Sequence, residues 1–350
     1  MSLLTIVAAS AIALFGADRA PTAAPAPTNL AGISLRDAVG STIVMRFHGT
    51  ALPQYVADAL RTHDAAGVIL FRDNCVSPAQ TKGLTAAITH AGGPNTIIAL
   101  DQEGGAIRIL GWAQPVKDQI YVDKTRTAAR LAAKGLRYEG VNVNLAPVAD
   151  TSGPGTLMRT RAFAGDTALV AQRVRHAIEG YRNTGVAPTL KHFPGLGAAT
   201  GNTDQSSVTI NTSARDIGYS ALPPFKAGID AGAPAVMLSH ALYPALDPDR
   251  IASESKPIVT DLLRNRLGFQ GVAMTDSLEA YAVRARSSIE TAAIRSMRAG
   301  VDIILTTGAG SHIRILRAFT ALARSDRGFL DRLRRATVRV RTLRQSLGDG

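Results

Sequence analysis

The sequence predicts an α/β protein folded as a single-domain (β/α)8 barrel of the TIM type. Three observations support this: short apolar runs recur eight times, their interiors do not alternate with polar residues, and amphipathic segments separate them. Unbroken apolar runs are typical of parallel strands covered on both faces, and alternation with helices is typical of β/α units. A doubly wound open sheet is the competing fold, but the turn Phe47-His48-Gly49-Thr50 lacks the glycine-rich pattern usual after its first strand.

The apolar runs are expected to be the barrel strands in chain order. They are rich in Val, Ile, Leu and Ala, and the intervening segments Thr125–Arg137 and Thr167–Asn183 have helical periodicity. We therefore expect strands, each followed by a helix, at Thr42–Phe47, Gly67–Phe71, Thr96–Leu100, Val141–Leu145, Val186–Leu190, Ala235–Leu238, Gly271–Met274 and Val301–Leu305.

The C-terminal stretch Arg314–Arg344 is rich in arginine. Apolar residues nevertheless recur in it at helical spacing, among them Ile315, Phe319 and Leu322. This pattern predicts one or two amphipathic helices that close the barrel and expose a solvated arginine face. A dedicated site for an anionic polymer is the alternative.

Residues 1–29 are expected to precede the folded domain. The uncharged run Leu3–Phe15 is too short for an ordinary membrane-spanning helix and resembles a signal-peptide core, although no positive residue precedes it. The stretch Ala17–Asn29, rich in Ala, Pro and Thr, predicts a cleavage zone and a flexible tether. We expect an exported protein, extracellular or associated with the cell envelope, whose barrel spans residues 30–350.

The charge and the cysteine content limit the classes of partner. Lys and Arg number 39 against 27 Asp and Glu, a net charge of +12, which favours an anionic partner. Nucleic acid is not expected, because aromatic residues make up only 5% and no nucleic-acid-binding motif is present. Contact with an anionic cell envelope is the favoured interpretation, and the sequence does not indicate an oligomeric state. The single Cys75 excludes an internal disulfide and a cysteine cluster, and we expect no metal or other cofactor.

The candidate site consists of polar residues that follow the apolar runs. In a (β/α)8 barrel the C-terminal strand ends form the active site. Carboxylates mixed with Lys, Arg and His suit a carbohydrate substrate, because sugar hydroxyls need charged donors and acceptors in a dry pocket. The residues at these positions are Arg72, Asp73, Asp101, Gln102, Glu103, Asp150, Lys191, His192, His240 and Asp276.

Six motifs at or near these strand ends occur in a characteristic order. They are Asp101-Gln102-Glu103-Gly104-Gly105, Asn144-Leu145-Ala146-Pro147-Val148-Ala149-Asp150, Arg161-Ala162-Phe163, Lys191-His192-Phe193-Pro194-Gly195, Ser239-His240 and Gly271-Val272-Ala273-Met274-Thr275-Asp276-Ser277-Leu278. Together they resemble the glycoside hydrolase family 3 β-N-acetylglucosaminidases, including those of bacterial cell-wall turnover. The resemblance runs from about Ser34 to Thr307.

This resemblance implies a retaining, exo-acting glycosidase that removes terminal β-linked N-acetylglucosamine. Asp276 would be the nucleophile that forms a glycosyl-enzyme intermediate. The resemblance also implies that Asp101 grips sugar hydroxyls, and the residues that would complete the sugar-binding site are Arg161, Lys191, His192 and His240. For His240, a hydrogen-bonding role behind the site is an equal alternative.

Two departures from the family pattern bear on catalysis. The family usually carries Pro-Gly-His-Gly and an Asp-x-His dyad as general acid/base, but Leu196 and Ser206 stand in place of the two histidines. Asp204 remains as the candidate acid/base, with a purely structural Asx turn as its alternative. Ile109 stands where the family has an arginine, and Arg108 lies next to it. A sugar-binding pseudoenzyme, a β-glucosidase and a phosphorolytic variant of the family therefore stay open.

Overall fold

Eight parallel strands, here β1 to β8, form a barrel in the computed structural model, which describes residues 32–347. The strands hydrogen-bond in the order β7-β6-β5-β4-β3-β2-β1-β8, and a parallel bridge between Met274 and Ile303 joins β7 to β8. This closure confirms the predicted barrel over an open sheet. The strands span Ile43–Arg46, Gly67–Ile69, Ile97–Leu100, Val143–Asn144, Ala187–Phe193, Ala235–Leu238, Val272–Thr275 and Ile304–Thr306, and each overlaps its predicted run.

Alternate residues of the strands pack on opposite faces of the barrel wall. Ile69 on β2 and Met274 on β7 belong to a cluster that fills the barrel interior, whereas Ile43 and Met45 on β1 pack outward against the helices. Both faces are apolar, which explains why the runs show no polar alternation. The filled interior also forms an apolar floor at the C-terminal ends of the strands, here called the upper end of the barrel.

Helices and short turns cover the outside of the barrel. Several begin at a Ser or Asp whose side chain accepts a hydrogen bond from a backbone amide, as Ser77 does from Gln80. The helices span Leu35–Gly40, Gln54–Arg61, Pro78–Gly92, Thr125–Tyr138, Thr167–Tyr181, Ala214–Asp216, Ile217–Ala221, Leu222–Asp230, Pro257–Arg266, Tyr281–Arg284, Ile289–Ala299, Ser311–Ser325 and Arg327–Ser346, with 3-10 turns at Gln119–Tyr121 and Ala252–Glu254. Ile217–Ala221 and Pro257–Arg266 are π-helical.

Two short antiparallel hairpins extend from the upper strand ends. One pairs Gln102–Gly104 with Ile107–Arg108, and the other pairs Leu242–Tyr243 with Asp247–Ile251. The first follows β3 directly and holds the Asp-Gln-Glu motif at the barrel mouth. Within residues 32–347, no helix combines the length and the apolar character needed to cross a membrane.

The C-terminal helices Ser311–Ser325 and Arg327–Ser346 pack against the barrel as predicted. Their arginine face, however, is not wholly solvated. Arg332 and Arg339 turn inward to the fully buried Asp302, which also binds Arg264. An ionised carboxylate is costly to bury unless charged partners compensate it, and the arginines supply this compensation. The predicted signal-like segment and tether, residues 1–29, lie outside the described residues.

Candidate active site

A cavity of about 390 Å³ opens at the C-terminal ends of the barrel strands. Apolar side chains such as Ile69, Met237 and Leu305 form its floor, and charged side chains form its walls. A volume and a lining of this kind suit a small polar ligand. Of the residues predicted from the sequence to form the site, those on the cavity wall are Asp101, Glu103, Arg161, Lys191, His192, Asp204 and Asp276.

A buried ion-pair network occupies one wall. The Lys191 Nζ lies 2.5 Å from Asp101 Oδ1 and 2.6 Å from Glu103 Oε1. Arg161 donates to both oxygens of Glu103, at 2.9 and 2.8 Å. Burial alone would raise the pKa of Glu103, but the charges of Lys191 and Arg161 outweigh it and lower that pKa to about 2. Glu103, Lys191 and Arg161 are therefore charged, and the ion pairs fix the positions of all four side chains before any ligand binds.

Glu103 is a site residue to which sequence reasoning gave no role. It stands among the strand-end residues, yet the resemblance transferred a role only to its neighbour Asp101. Glu103 is 4% exposed and binds the two cations at once. Its motif was the available signal, because a carboxylate two residues after Asp101 on an extended hairpin lies on the same side of the backbone.

The orientation of His192 is set by the buried carboxylate of Asp150. Asp150 is 0% exposed and accepts from the backbone amides of His192 and Leu196, at 3.2 and 2.6 Å. The His192 Nδ1 lies 2.8 Å from Asp150 Oδ2. Because an ionised carboxylate only accepts, Nδ1 carries the proton and Nε2 is left for the cavity. Asp150 thus positions His192 and does not line the cavity itself.

Asp276 follows β7 and projects into the cavity from the wall opposite β3. Its Oδ1 accepts from the amide of Ser277 at 2.7 Å. Burial would raise the pKa of Asp276, but His192, His240 and that amide outweigh it and hold the pKa below its ordinary value. The group is consequently ionised at neutral pH, as a nucleophilic carboxylate must be.

His240 lies behind the cavity wall, which favours the hydrogen-bonding role over contact with the ligand, the two alternatives left open by the sequence. It is 1% exposed, and its Nε2 lies 3.0 Å from the carbonyl oxygen of Ser277 while its Nδ1 lies 2.8 Å from Ser253 Oγ. A carbonyl only accepts, so Nε2 carries the proton and Nδ1 accepts from the hydroxyl. Burial lowers the pKa of His240, and the neutral ring thus supports the loop next to Asp276.

Asp204 lies on the loop after β5 and reaches the cavity from its rim. Burial raises the pKa of Asp204, and the negative charge of Asp276 raises it further. The Asx turn in this loop is made by Asn202, whose Oδ1 accepts from the Asp204 amide at 2.9 Å. The Asp204 carboxylate accepts no hydrogen bond from any described residue. The side chain that makes the structural Asx turn is therefore that of Asn202, and the Asp204 carboxylate lines the cavity.

The two positions that lack the family's histidines cannot transfer protons. Leu196 is 3% exposed and packs into the hydrophobic core. The Ser206 hydroxyl donates to the Asn202 carbonyl at 3.2 Å, and its ordinary pKa is far too high for acid/base work. Asp204 thus remains the candidate acid/base, and it lines the same cavity as Asp276.

The polar residues Arg72 and Asp73, which follow β2, lie at the rim of the barrel mouth and do not line the cavity. Arg72 donates to the Ala106 carbonyl at 2.7 Å, and Asp73 pairs with Arg46 at 3.1 Å. Arg46 itself lines the cavity and was missed, because it ends β1 inside the predicted run. Its signal was the two-residue period that places it on the same face as Val44. Within residues 32–347, no cluster of three His, Cys, Asp or Glu side chains is placed to hold a metal.

A (β/α)8 barrel whose mouth holds two carboxyl groups with oppositely shifted pKa values, Asp276 and Asp204, in one charged cavity is typical of glycoside hydrolases. Residues 35–343 match the family described as glycosyl hydrolase family 3 N terminal domain. The chain belongs to this family.

Relatives and solved structures agree with this membership. A β-hexosaminidase of Stenotrophomonas maltophilia is 33% identical over 270 residues, which cover 73% of this chain and 80% of the relative. A β-N-acetylhexosaminidase structure from Beutenbergia cavernae superposes with a TM-score of 0.79 at 33% identity, covering 89% of this chain and 98% of that one. A family 3 β-N-acetylglucosaminidase from Paenibacillus superposes at 0.84 with 29% identity, covering 90% of this chain but 62% of that longer protein.

Proposed function

We propose that this chain is a retaining exo-glycosidase that releases terminal β-linked N-acetylglucosamine through a glycosyl-enzyme intermediate on Asp276. One observation carries the proposal: Asp276 and Asp204 line the same cavity, and the protein shifts their pKa values in opposite directions. Two carboxyl groups with opposed shifts are what an acid and a nucleophile require. The names of the similar proteins, β-hexosaminidase and β-N-acetylglucosaminidase, support the choice of sugar.

In the first step, an Asp276 oxygen attacks the anomeric carbon while the bond to the leaving oxygen breaks. Asp204 donates its proton to that oxygen, so the leaving group departs as a neutral alcohol. In the second step, the ionised Asp204 takes a proton from water, and the hydroxide oxygen displaces Asp276 from the anomeric carbon. Two displacements at the same carbon retain its configuration.

The wall formed by Asp101, Glu103, Arg161 and Lys191, here called the ion-pair wall, has the chemistry to hold the sugar during both steps. Asp101 accepts from hydroxyls, whereas Lys191, Arg161 and His192 offer donors or acceptors at fixed positions. Because these groups are fixed by each other, little ordering is needed when the sugar binds.

The proposal is tested with purified protein and two chromogenic substrates, 4-nitrophenyl N-acetyl-β-glucosaminide and 4-nitrophenyl β-glucoside. We expect faster release of nitrophenol from the first, and proton NMR should show the β-anomer of the free sugar before mutarotation. A faster glucoside would assign a β-glucosidase, and an α-anomer as the first product would overturn retention. Release of sugar 1-phosphate only when phosphate is added would assign phosphorolysis.

A sugar-binding pseudoenzyme is the second candidate, and the residues Leu196 and Ser206 favour it. It predicts binding of N-acetylglucosamine by calorimetry without turnover of even the nitrophenyl glycoside. That substrate needs little protonation, so an intact Asp276 alone should cleave it if the hydrolase proposal is right.

We also propose that the protein is exported and acts outside the cell or at its envelope. The apolar run Leu3–Phe15 and the net charge of +12 support this proposal. Fractionation of producing cells, with sequencing of the mature N-terminus, tests it. A cytoplasmic protein that keeps Met1–Phe15 would contradict it.

A further inference from the structure

The cavity wall carries one cation, Arg46, that the proposed reaction does not use. Arg46 ends β1, and the two-residue period of the strand places it on the face of Val44, which points into the barrel interior. The side chain consequently stands at the mouth of the barrel, on the cavity wall.

The guanidinium of Arg46 is held by two neighbouring side chains, Phe71 and Asp73. Its central carbon lies 4.1 Å from the centre of the Phe71 ring, and its Nη2 donates to Asp73 Oδ1 at 3.1 Å. The His48 Nδ1 lies 3.5 Å from the same Nη2. Nε is buried without a partner, whereas Nη1 is not buried and bonds none of the described residues. One end of the planar fork is thus fixed and the other end is free.

Arg46 differs from the other two cations of the cavity wall in the place of its counter-charge. Lys191 and Arg161 are neutralised by Asp101 and Glu103, which line the same cavity. Arg46 takes its counter-charge from Asp73, which is not on the wall and whose side chain is 38% exposed. A partly exposed pair is weak, so a ligand anion can compete for the guanidinium.

We propose that Arg46 binds an acidic substituent, a carboxylate or a phosphate, on the glycoside and makes the site selective for acidic substrates. Guanidinium groups present parallel N–H donors that match the oxygens of these two anions. Neutral hydroxyls would gain less, because a hydrogen bond to a guanidinium group is stronger when the acceptor is ionised. The inference rests on the proposed function, and it names the substrate class of that same site. The acid belongs either to the released sugar or to its leaving group.

Calorimetry tests the first source. N-acetylglucosamine and its 6-phosphate are titrated into the wild type, Arg46→Met and Asp73→Asn. We expect the wild type to bind the phosphate about tenfold or more tightly than the neutral sugar, as one charge-assisted hydrogen bond gives. Arg46→Met should abolish this ratio, and Asp73→Asn should increase it because the guanidinium loses its competitor.

Kinetics test the second source. The substrates are the 4-(carboxymethyl)phenyl and 4-(carbamoylmethyl)phenyl N-acetyl-β-glucosaminides, whose methylene group keeps the leaving-group acidities nearly equal. If the acid lies on the leaving group, kcat/KM for the carboxylate should exceed that for the amide about tenfold in the wild type, and Arg46→Met should equalise them.

The control is Arg298→Met, which breaks a similar Arg–Asp pair, Arg298 with Asp326 at 3.0 Å, away from the cavity. It should leave both ratios unchanged. Arg46→Lys keeps the charge but not the fork and should give intermediate ratios, and Asp73→Asn tests the inference even if Arg46→Met is unstable. Ratios near one in the wild type in both arms would overturn the inference. Preserved binding ratios without any turnover would instead overturn the hydrolase proposal.

Discussion

The two carboxylates at the barrel mouth differ in what surrounds them. Asp276 faces His192 and His240 and accepts from the Ser277 amide, so its anion is favoured. Asp204 is partly withdrawn from water, faces the like charge of Asp276 and accepts no side-chain hydrogen bond from the described residues, so its pKa is raised. The division of labour between two chemically identical groups is therefore set by their neighbours.

Replacing Asp276 by Asn should abolish turnover, because an amide cannot act as an anionic nucleophile. We expect kcat for nitrophenyl N-acetyl-β-glucosaminide to fall at least about 100-fold, with an unchanged thermal midpoint. Continuous release of nitrophenol measures the first and calorimetry the second. Activity above about one hundredth of wild type would remove the nucleophile role from Asp276.

Replacing Asp101 by Ala should weaken sugar binding by removing an acceptor from the ion-pair wall. Each charge-assisted hydrogen bond lost contributes about 1.5 to 3 kcal/mol, so a tenfold to hundredfold rise in Kd for N-acetylglucosamine is expected. Lys191 keeps Glu103 as its partner, so the fold should survive. Unchanged affinity in a calorimetric titration would place the sugar elsewhere.

Replacing Asp204 by Ala should affect substrates according to their leaving group. Poor leaving groups need a proton, so turnover of a disaccharide should fall about 100-fold to 10,000-fold, whereas the first step on nitrophenyl glycosides should be spared. The pH profile gives a second readout. The raised pKa of Asp204 keeps its acid form to higher pH than an ordinary aspartic acid, and activity on poor leaving groups should decline as pH rises through that pKa. The variant should lose this limb; equal losses for both substrates would make Asp204 structural.

At the scale of elements, the strands were predictable and several side chains were not. Buried parallel strands are apolar on both faces, so the chain displays them directly, as in β6 and β7. The role of His240 depends on Ser253 and Ser277, which are distant in sequence and adjacent only after folding. The sequence did not reveal Arg46 as a site residue, because that requires the end of β1 to be located to within one residue. Local pattern therefore predicts the scaffold, whereas contacts between strand ends decide the site.

The ion cluster around Asp302 joins β8 to the C-terminal helix and should contribute strongly to stability. Burial would raise the pKa of Asp302, but Arg264, Arg332 and Arg339 outweigh it and lower that pKa. Asp302→Asn leaves these arginines without their counter-charge and should reduce the free energy of unfolding by about 3 to 5 kcal/mol at neutral pH. Urea denaturation measures the loss.

The pH dependence of this effect has a defined sign. A carboxyl group whose pKa is lowered on folding stabilises the protein above its unfolded pKa, and the contribution is lost as pH falls through the folded pKa. The difference in the free energy of unfolding between wild type and Asp302→Asn should thus become smaller as the pH falls. Asp230→Asn, which removes an exposed partner of Lys226, serves as control and should shift stability by less than about 1 kcal/mol. Equal shifts for the two variants would show that the cluster is energetically unimportant.

For the whole molecule, the barrel separates stability from chemistry. Asp302 and the C-terminal helix act at one end, whereas Asp276, Asp204 and the ion-pair wall lie at the other, as expected for this fold. The net charge of +12 belongs to the molecule and could be read from composition alone. What composition could not reveal is that, of the Lys and Arg side chains on the cavity wall, Arg46 alone is paired with a carboxylate that does not line the cavity.

The loop that carries Asp204 is tied by backbone hydrogen bonds to the segment just after Asp276. The amide of Tyr281 donates to the Asp204 carbonyl at 3.3 Å, and the amide of Ala282 donates to the Thr203 carbonyl at 3.0 Å. The proposed acid and the proposed nucleophile are thereby linked through the backbone, and a movement of the Asp204 loop away from this segment must break both hydrogen bonds. Hydrogen–deuterium exchange of these two amides therefore measures loop opening, and the measurement requires no substrate turnover.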